Sequence, residues 1–269
     1  MRGKAAGRAA KTGKLERIVH ARAPLGQDVV VDAETMRRLR AALVRGDGMS
    51  VVAVLEGRVP HELLQLAGDG LLLALGQGVP GAAELVHTCV PALRERGWAG
   101  DDELAAELEA ATSALARPLT LKGVPIDLDE LSMVLEAGPE DRGGVIDLIS
   151  GEVWSKEAVE QAKQVSDNAP DLRDENRWLP VEPEGSRERY LDMADFAATV
   201  HDPAERDQLL GTIDDEPDAF HRFKDRMADW PQEQQRWVEF LEERYRGRAR
   251  WWLAEAGYRS VPRATPSPA

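Results

Sequence analysis

Through most of this chain apolar side chains return every three or four residues, and each such run is cut short by glycine or proline. That rhythm admits helices of modest length joined by tight turns and leaves little room for a large sheet. Asp32 stands as an N-cap before Met36, Leu39, Leu43 and Val44, and Gly46-Asp47-Gly48 stops the run. Residues 49–56 form a second short helix, closed by Gly57. Pro60 opens a third, with Leu63, Leu66, Ala67, Gly70, Leu71 and Ala74 on one side; the small residues let another helix approach closely. A fourth begins near Gly81, with Ala82, Leu85, Val86, Cys89 and Leu93 on one face, and Pro91 is expected to kink or divide it. Asp101-Asp102-Glu103 places carboxylates at the positive end of a fifth helix, which runs to about Leu115 and is ended by Pro118.

The middle changes character. Leu128, Leu131, Val134 and Leu135 mark another helix, stopped by Gly138-Pro139. Val145 to Leu148 then alternates toward a strand, Ser150-Gly151 turns, and Glu152-Val153-Trp154 returns. Residues 155–165 read as a polar helix and 167–176 as a charged connector. Arg177 to Val181 adds a third strand, which Pro180 confines to an edge or a strand end.

The last third is helical again. Ser186 caps a helix with Tyr190, Met193, Phe196, Ala197 and Val200 inward. His201-Asp202-Pro203 starts the next, with Leu209, Leu210 and Ile213, and Pro217 opens one carrying Phe220, Phe223 and Met227. Pro231 begins the longest, about 25 residues to Gly257, with the stripe Trp237, Phe240, Leu241, Tyr245, Arg248, Trp252. Four of the seven tryptophans lie at or after position 230, where large rings are expected to fill a helical core. The expected fold is thus α+β but predominantly α-helical: N-terminal helical hairpins, a small β-hairpin or short sheet in the middle, and a C-terminal helical bundle.

Four blocks in this order resemble uncharacterised protein family 0158 of the UPF series. Ile146 to Val153 resembles its "LDLxTGEV" signature, with Ser150 in place of threonine, and Ser186 to Phe196 resembles an "EYxxMExF" helix, with Ala194-Asp195 for Met-Glu. Asp218 to Asp225 resembles "GAFRRFKD", with Asp218 and His221 departing from Gly and Arg. Trp237 to Arg244 and Ala249 to Gly257 resemble the family's tryptophan-rich ending. The resemblance implies a bacterial, cytoplasmic setting and a fold unit over 124–258. The family has no assigned activity, so the resemblance brings neither a reaction nor catalytic residues. The division expected is a disordered basic tail (1–28), an all-helical region (29–118), the family-like domain (124–258) and a second disordered tail (259–269).

Charge narrows the partners. The chain has 34 basic and 48 acidic side chains, a net charge of −14, which disfavours wholesale binding to a phosphate backbone. Residues 1–23 run against that balance, with seven basic groups and one acid, so nucleic acid is expected only through this tail. No apolar run approaches the roughly 20 residues of a membrane span. A lone cysteine, Cys89, reads as a small core residue in a reducing compartment rather than a nucleophile. His87 lies two positions away, on another side of the helix, and makes no metal pair with it.

Candidate chemistry is sparse. Arg222, Lys224 and Arg226, with Arg187, Arg189 and Arg244, are the candidate anion-binding residues, since exposed guanidinium pairs clamp phosphate or carboxylate. The plainer reading pairs Arg222 with Asp225 and Arg226 with Asp229 along the helix. Arg244, Arg246, Arg248 and Arg250 form a second basic run, Arg244 and Arg248 on one face and Arg246 and Arg250 on another. Asp147 and Glu152 are assigned to hairpin register or helix capping, His201 and His221 have no identifiable partner, and no metal or cofactor is expected. The favoured reading is a noncatalytic protein-interaction or regulatory module with an unidentified protein partner; the alternative is a binder or enzyme acting on a phosphorylated small molecule or a nucleic-acid end.

Overall fold

The computed structural model describes residues 33–113, 120–137, 143–165, 172–174, 176–183, 187–213 and 218–262. The basic segment 1–23, Asp32, Ser186, Asp214 to Pro217 and residues 263–269 lie outside them. In chain order the elements are α1 (Ala33–Val44), α2 (Gly48–Leu55), a 3-10 turn (His61–Leu63), α3 (Leu64–Gly76), α4 (Ala82–Arg96) and α5 (Asp101–Thr112). Then come β1 (Lys122–Val124), α6 (Leu128–Leu135), β2 (Gly144–Asp147), β3 (Val153–Ser155), α7 (Lys156–Val165) and β4 (Trp178–Val181). The chain continues with α8 (Arg187–Thr199), α9 (Pro203–Leu210), α10 (Ala219–Met227), α11 (Pro231–Glu255) and β5 (Tyr258–Ser260). The fold is α+β and predominantly helical, as the periodicity required.

The described residues divide into two units. One holds residues 187–240 and the other 33–186 with 241–262, so α11 contributes to both. In the larger unit, α1 to α5 enclose a core of Leu39, Val51, Leu64, Leu71, Leu93, Leu104 and Leu108. Gly70 of the expected stripe admits a close neighbour, since a methyl there would meet Val51 at 2.7 Å, and Gly68, outside that stripe, is packed as tightly, with Leu104 at 2.5 Å from an added methyl. Cys89 is buried in this core, and burial pushes its thiol up to about 12, too high for a nucleophile. Helix α4 continues through Pro91, which is exposed, so the proline does not divide it.

A second core joins Ile126, Leu128, Leu131, Ile146 and Val181 to Ala249 and Leu253 of α11. The hairpin β2–β3 is antiparallel, and β4 pairs with the other side of β2 in the order β3-β2-β4, which leaves Pro180 on an edge strand. Sequence reading missed a second sheet. β1 and β5 pair in parallel, Lys122 opposite Tyr258 and Val124 opposite Ser260. This pairing takes in the first residues of the segment expected as a C-terminal tail. At three residues each, the two strands are too short for alternation to reveal them.

Asp147 closes the hairpin. Its carboxylate accepts the Ile149 N–H at 3.0 Å and the Arg177 Nη2–H at 2.7 Å, tying the turn to the residue before β4. The Arg177 hydrogen bond, aided by the Ile149 N–H, holds the Asp147 carboxyl below its ordinary 3.8 despite burial. The stabilisation is therefore present above pH 3.8 and lost as acid protonates the group. Urea melts should show wild type more stable than Asp147→Asn at neutral pH, with the gap closing as pH falls below 3.8. A gap independent of pH would contradict this.

In the smaller unit, the ring of Phe196 meets Phe223, Trp237 and Phe240 edge-on, at centroid distances of 6.5, 5.1 and 5.6 Å. These rings come from α8, α10 and the start of α11, and they explain the aromatic spacing of the three helices. Asp202 caps α9 by accepting the Ala204 and Glu205 N–H groups at 2.7 and 3.1 Å. Among the described residues, no helix is long and apolar enough to cross a membrane.

Candidate functional site

Helix α3 starts with a deficit. Leu63 sits at its N-cap and has no side chain to accept the first free N–H groups. Those of Gln65 and Leu66 are instead capped by Glu243 of α11, whose two carboxylate oxygens accept them at 2.8 and 2.9 Å. A carboxylate at this position also faces the positive end of the helix dipole.

The cap opens into a buried lattice of charge within the larger unit. Glu243 also accepts Arg96 Nη1–H at 3.1 Å, while Arg96 forks onto both oxygens of Asp101 at 2.7 and 3.0 Å. Asp101 accepts the Trp98 N–H at 2.8 Å and the Gln65 side-chain amide at 2.9 Å. The carbonyl end of that amide accepts Arg250 Nε–H at 3.0 Å, so Gln65 bridges two clusters and its orientation is set by both. Arg250 reaches Glu107 at 3.3 Å and also Asp69. Arg246 donates to Asp69 at 2.7 Å and to Asp129. Arg248 donates to Glu136 at 2.6 Å. The guanidinium groups of Arg96 and Arg244 lie 4.2 and 5.0 Å from the Trp98 ring centre.

Burial and pairing pull the acids in different directions. Burial alone would raise Asp69, but Arg250 and Arg246 hold it below its ordinary value. For Glu243 and Glu107 burial wins and raises both carboxyls, with Arg96 and Arg250 respectively opposing. A lattice of this kind adds modest net stability, because desolvation offsets attraction. In this docking of the second half of α11, Arg246, Arg248 and Arg250 each meet a carboxylate of another element.

Backbone contact fixes the same register. The turn between α4 and α5 passes so close to α11 that a methyl on Gly247 would fall 2.3 Å from the Ala99 carbonyl oxygen. One on Gly100 would fall 2.1 Å from the Gly247 oxygen. Gly247 sits at the centre of the arginine run, where it opens the gap that lets the turn in.

The family described as Uncharacterised protein family (UPF0158) matches residues 116–265. The chain belongs to this family. No curated protein and no solved structure matches the chain. The UPF0158 region supplies Glu243, Arg246, Gly247 and Arg250, whereas Gln65, Asp69, Arg96, Asp101 and Glu107 precede it. The lattice therefore links the UPF0158 region to helices outside the match.

The candidate anion residues occupy both units. Arg189 lies on α8, and Arg187 begins that helix. Arg222, Lys224 and Arg226 lie on α10, the last two in its final turn, where the negative helix end favours cations. Arg222 approaches the Thr212 carbonyl at 3.4 Å, Lys224 lies 5.9 Å from the Phe220 ring centre, and Arg226 pairs with Asp229 at 3.4 Å, the local partner expected for it. Arg244 belongs to the larger unit and is buried against Trp98. The second basic run, considered as an anion patch, has its guanidiniums taken up by the chain itself: Arg246, Arg248 and Arg250 each bind internal carboxylates.

The lattice was missed in the sequence, although two signals were present. Gln65 and Asp69 are polar residues at i and i+4 in a strongly apolar helix, and Leu63 cannot cap that helix. Among the described residues no group of His, Cys, Asp and Glu is arranged to hold a metal.

Proposed function

We propose that this UPF0158 member is a noncatalytic protein-interaction or regulatory module of the bacterial cytoplasm. The observation that carries the reading is α2, whose sequence Gly-Met-Ser-Val-Val-Ala-Val-Leu has no ionisable side chain. Its inner face, with Gly48, Val51 and Leu55, is buried. Its outer face carries apolar groups as well: Met49 is 66% exposed and Ala53 is exposed. A helix with apolar groups on both its inner and outer faces is ordinarily covered on both, and an apolar surface of this kind suits a protein partner. The buried charges support the reading from the other direction, since the lattice arginines and carboxylates serve one another.

Affinity capture with the full chain tests it, wild type against Met49→Glu. Circular dichroism should show equal helix content, because Met49 is exposed. The expected result is a partner retained by wild type and lost from the variant. The same set of retained proteins in both, or none in either, contradicts the reading.

A further inference from the structure

We propose that Glu107 makes the contact between α5 and α11 sensitive to pH: the contact holds harder when the Glu107 carboxyl carries a proton than when it is ionised.

The geometry leaves Glu107 poorly served. It is 4% exposed, so water is a poor substitute for a protein donor. The hydrogen bond it receives comes from Arg250 Nη1 at 3.3 Å, and the same guanidinium also serves Gln65 at 3.0 Å and Asp69. Asp69, by contrast, draws on both Arg250 and Arg246. Asp129, the other partner of Arg246, is 62% exposed at its side chain and keeps its water. Two guanidiniums thus meet three carboxylates, and the surplus falls on the buried acid with the long contact.

The other charges around Glu107 do not relieve it. Arg259 of β5 attracts it, yet among the described residues makes no hydrogen bond with it, and its Nε is buried without a partner. Instead the Arg259 side chain lies over Gly123 of β1, with Nη2 3.9 Å from where a methyl on that glycine would stand. On α5 itself, Glu103 lies one turn before Glu107 and brings a further negative charge. The α4 arginines Arg94 and Arg96 are engaged by Glu109 and Asp101.

Burial therefore raises the Glu107 carboxyl above its ordinary 4.5; Arg250 opposes the rise, Asp69 adds to it and Arg259 opposes it. A protonated carboxyl keeps a carbonyl oxygen for Arg250 and no longer repels Asp69. In the interval just above pH 4.5 the folded chain holds a proton that the unfolded chain gives up. Stability from this group rises as pH falls through that interval, and is lost as pH climbs through the folded value. The sign is opposite to that of Asp147, which weakens the fold only below pH 3.8. Acid thus tightens the grip of the N-terminal helices on the UPF0158 region.

Urea unfolding of the full chain as a function of pH is the test, wild type against Glu107→Gln, whose amide copies the protonated acid in shape and charge. At about pH 7.5 the variant should unfold at higher urea than wild type, as neutral replacements of buried charges often do. The gap should close as pH falls toward 4.5, the ratio of the two folding constants changing by up to about tenfold per pH unit. Glu243, also raised by burial, titrates in both proteins and drops out of that ratio. Arg259→Gln removes a cation that favours the ionised form, so it should move the wild-type pH dependence to higher pH and have no such effect in the Glu107→Gln background.

A Glu107→Gln protein that is less stable than wild type at about pH 7.5, or that fails to fold, overturns the proposal, because the ionised carboxylate then contributes more than it costs. A gap of constant size down to pH 4.5 overturns it as well, since the substitution then acts through packing alone. An Arg259→Gln shift that persists without Glu107 assigns the proton to another group and is equally fatal.

Discussion

Replacing Glu243 with alanine should cost about 3–5 kcal/mol of stability, the range for removing one member of a buried charge pair. The change removes both acceptors from the N-terminus of α3 and leaves the Gln65 and Leu66 N–H groups buried without a partner. It also takes away one of the two carboxylates of Arg96, which keeps only Asp101. Glutamine at the same place should recover part of the loss. It retains one acceptor oxygen but turns an NH2 group toward N–H donors. Urea unfolding of the three proteins measures both steps, with the denaturant slope checked so that midpoints can be compared. A loss under about 1 kcal/mol for Glu243→Ala would mean that water caps α3 as well as the carboxylate does.

The second large effect is steric. Gly100→Ala places a methyl in a residue with φ +81°, at 2.1 Å from the Gly247 carbonyl oxygen. The left-handed backbone alone costs about 1–2 kcal/mol. The clash adds more, because the obstacle is backbone of a long helix and cannot rotate away. The total should exceed about 4 kcal/mol, a size reserved for a few mechanisms. Gly46→Ala provides the control. It has φ +63° but nothing within 4 Å of the added methyl, so it should lose only the backbone share. Equal losses for the two variants would show that the turn after Gly97 does not press on α11.

Legibility in the sequence followed the physics of each element. The helices of the N-terminal region could be placed because each has an apolar stripe and a glycine or proline stop. The hairpin could be placed because Ser150-Gly151 separates two alternating runs. Helix α11 was legible as a helix, yet the face it buries was not. The apolar stripe continues through Tyr245 and Trp252, but these are only half-buried, and Trp251 is exposed. Beyond Leu241 the side chains most completely removed from water include Glu243, Arg244, Arg248 and Arg250. Periodicity treats such residues as a solvated surface. It cannot know that Asp69, Asp101 and Glu107, more than a hundred residues away, are waiting for them. The β1–β5 pair was hidden for a related reason, since its register is set by partners at opposite ends of the family region.

The buried charges and the Gly100–Gly247 contact should make the second half of α11 and the helices α3 to α5 unfold as a single cooperative structure. Native-state hydrogen exchange tests it most directly. Amides of α3, including Gln65 and Leu66, and amides of α11 beyond Leu241 should open together at one common free energy, and Glu243→Ala should lower that value equally in both. Exchange from α11 at a much lower free energy, with α3 to α5 still protected, would contradict the claim.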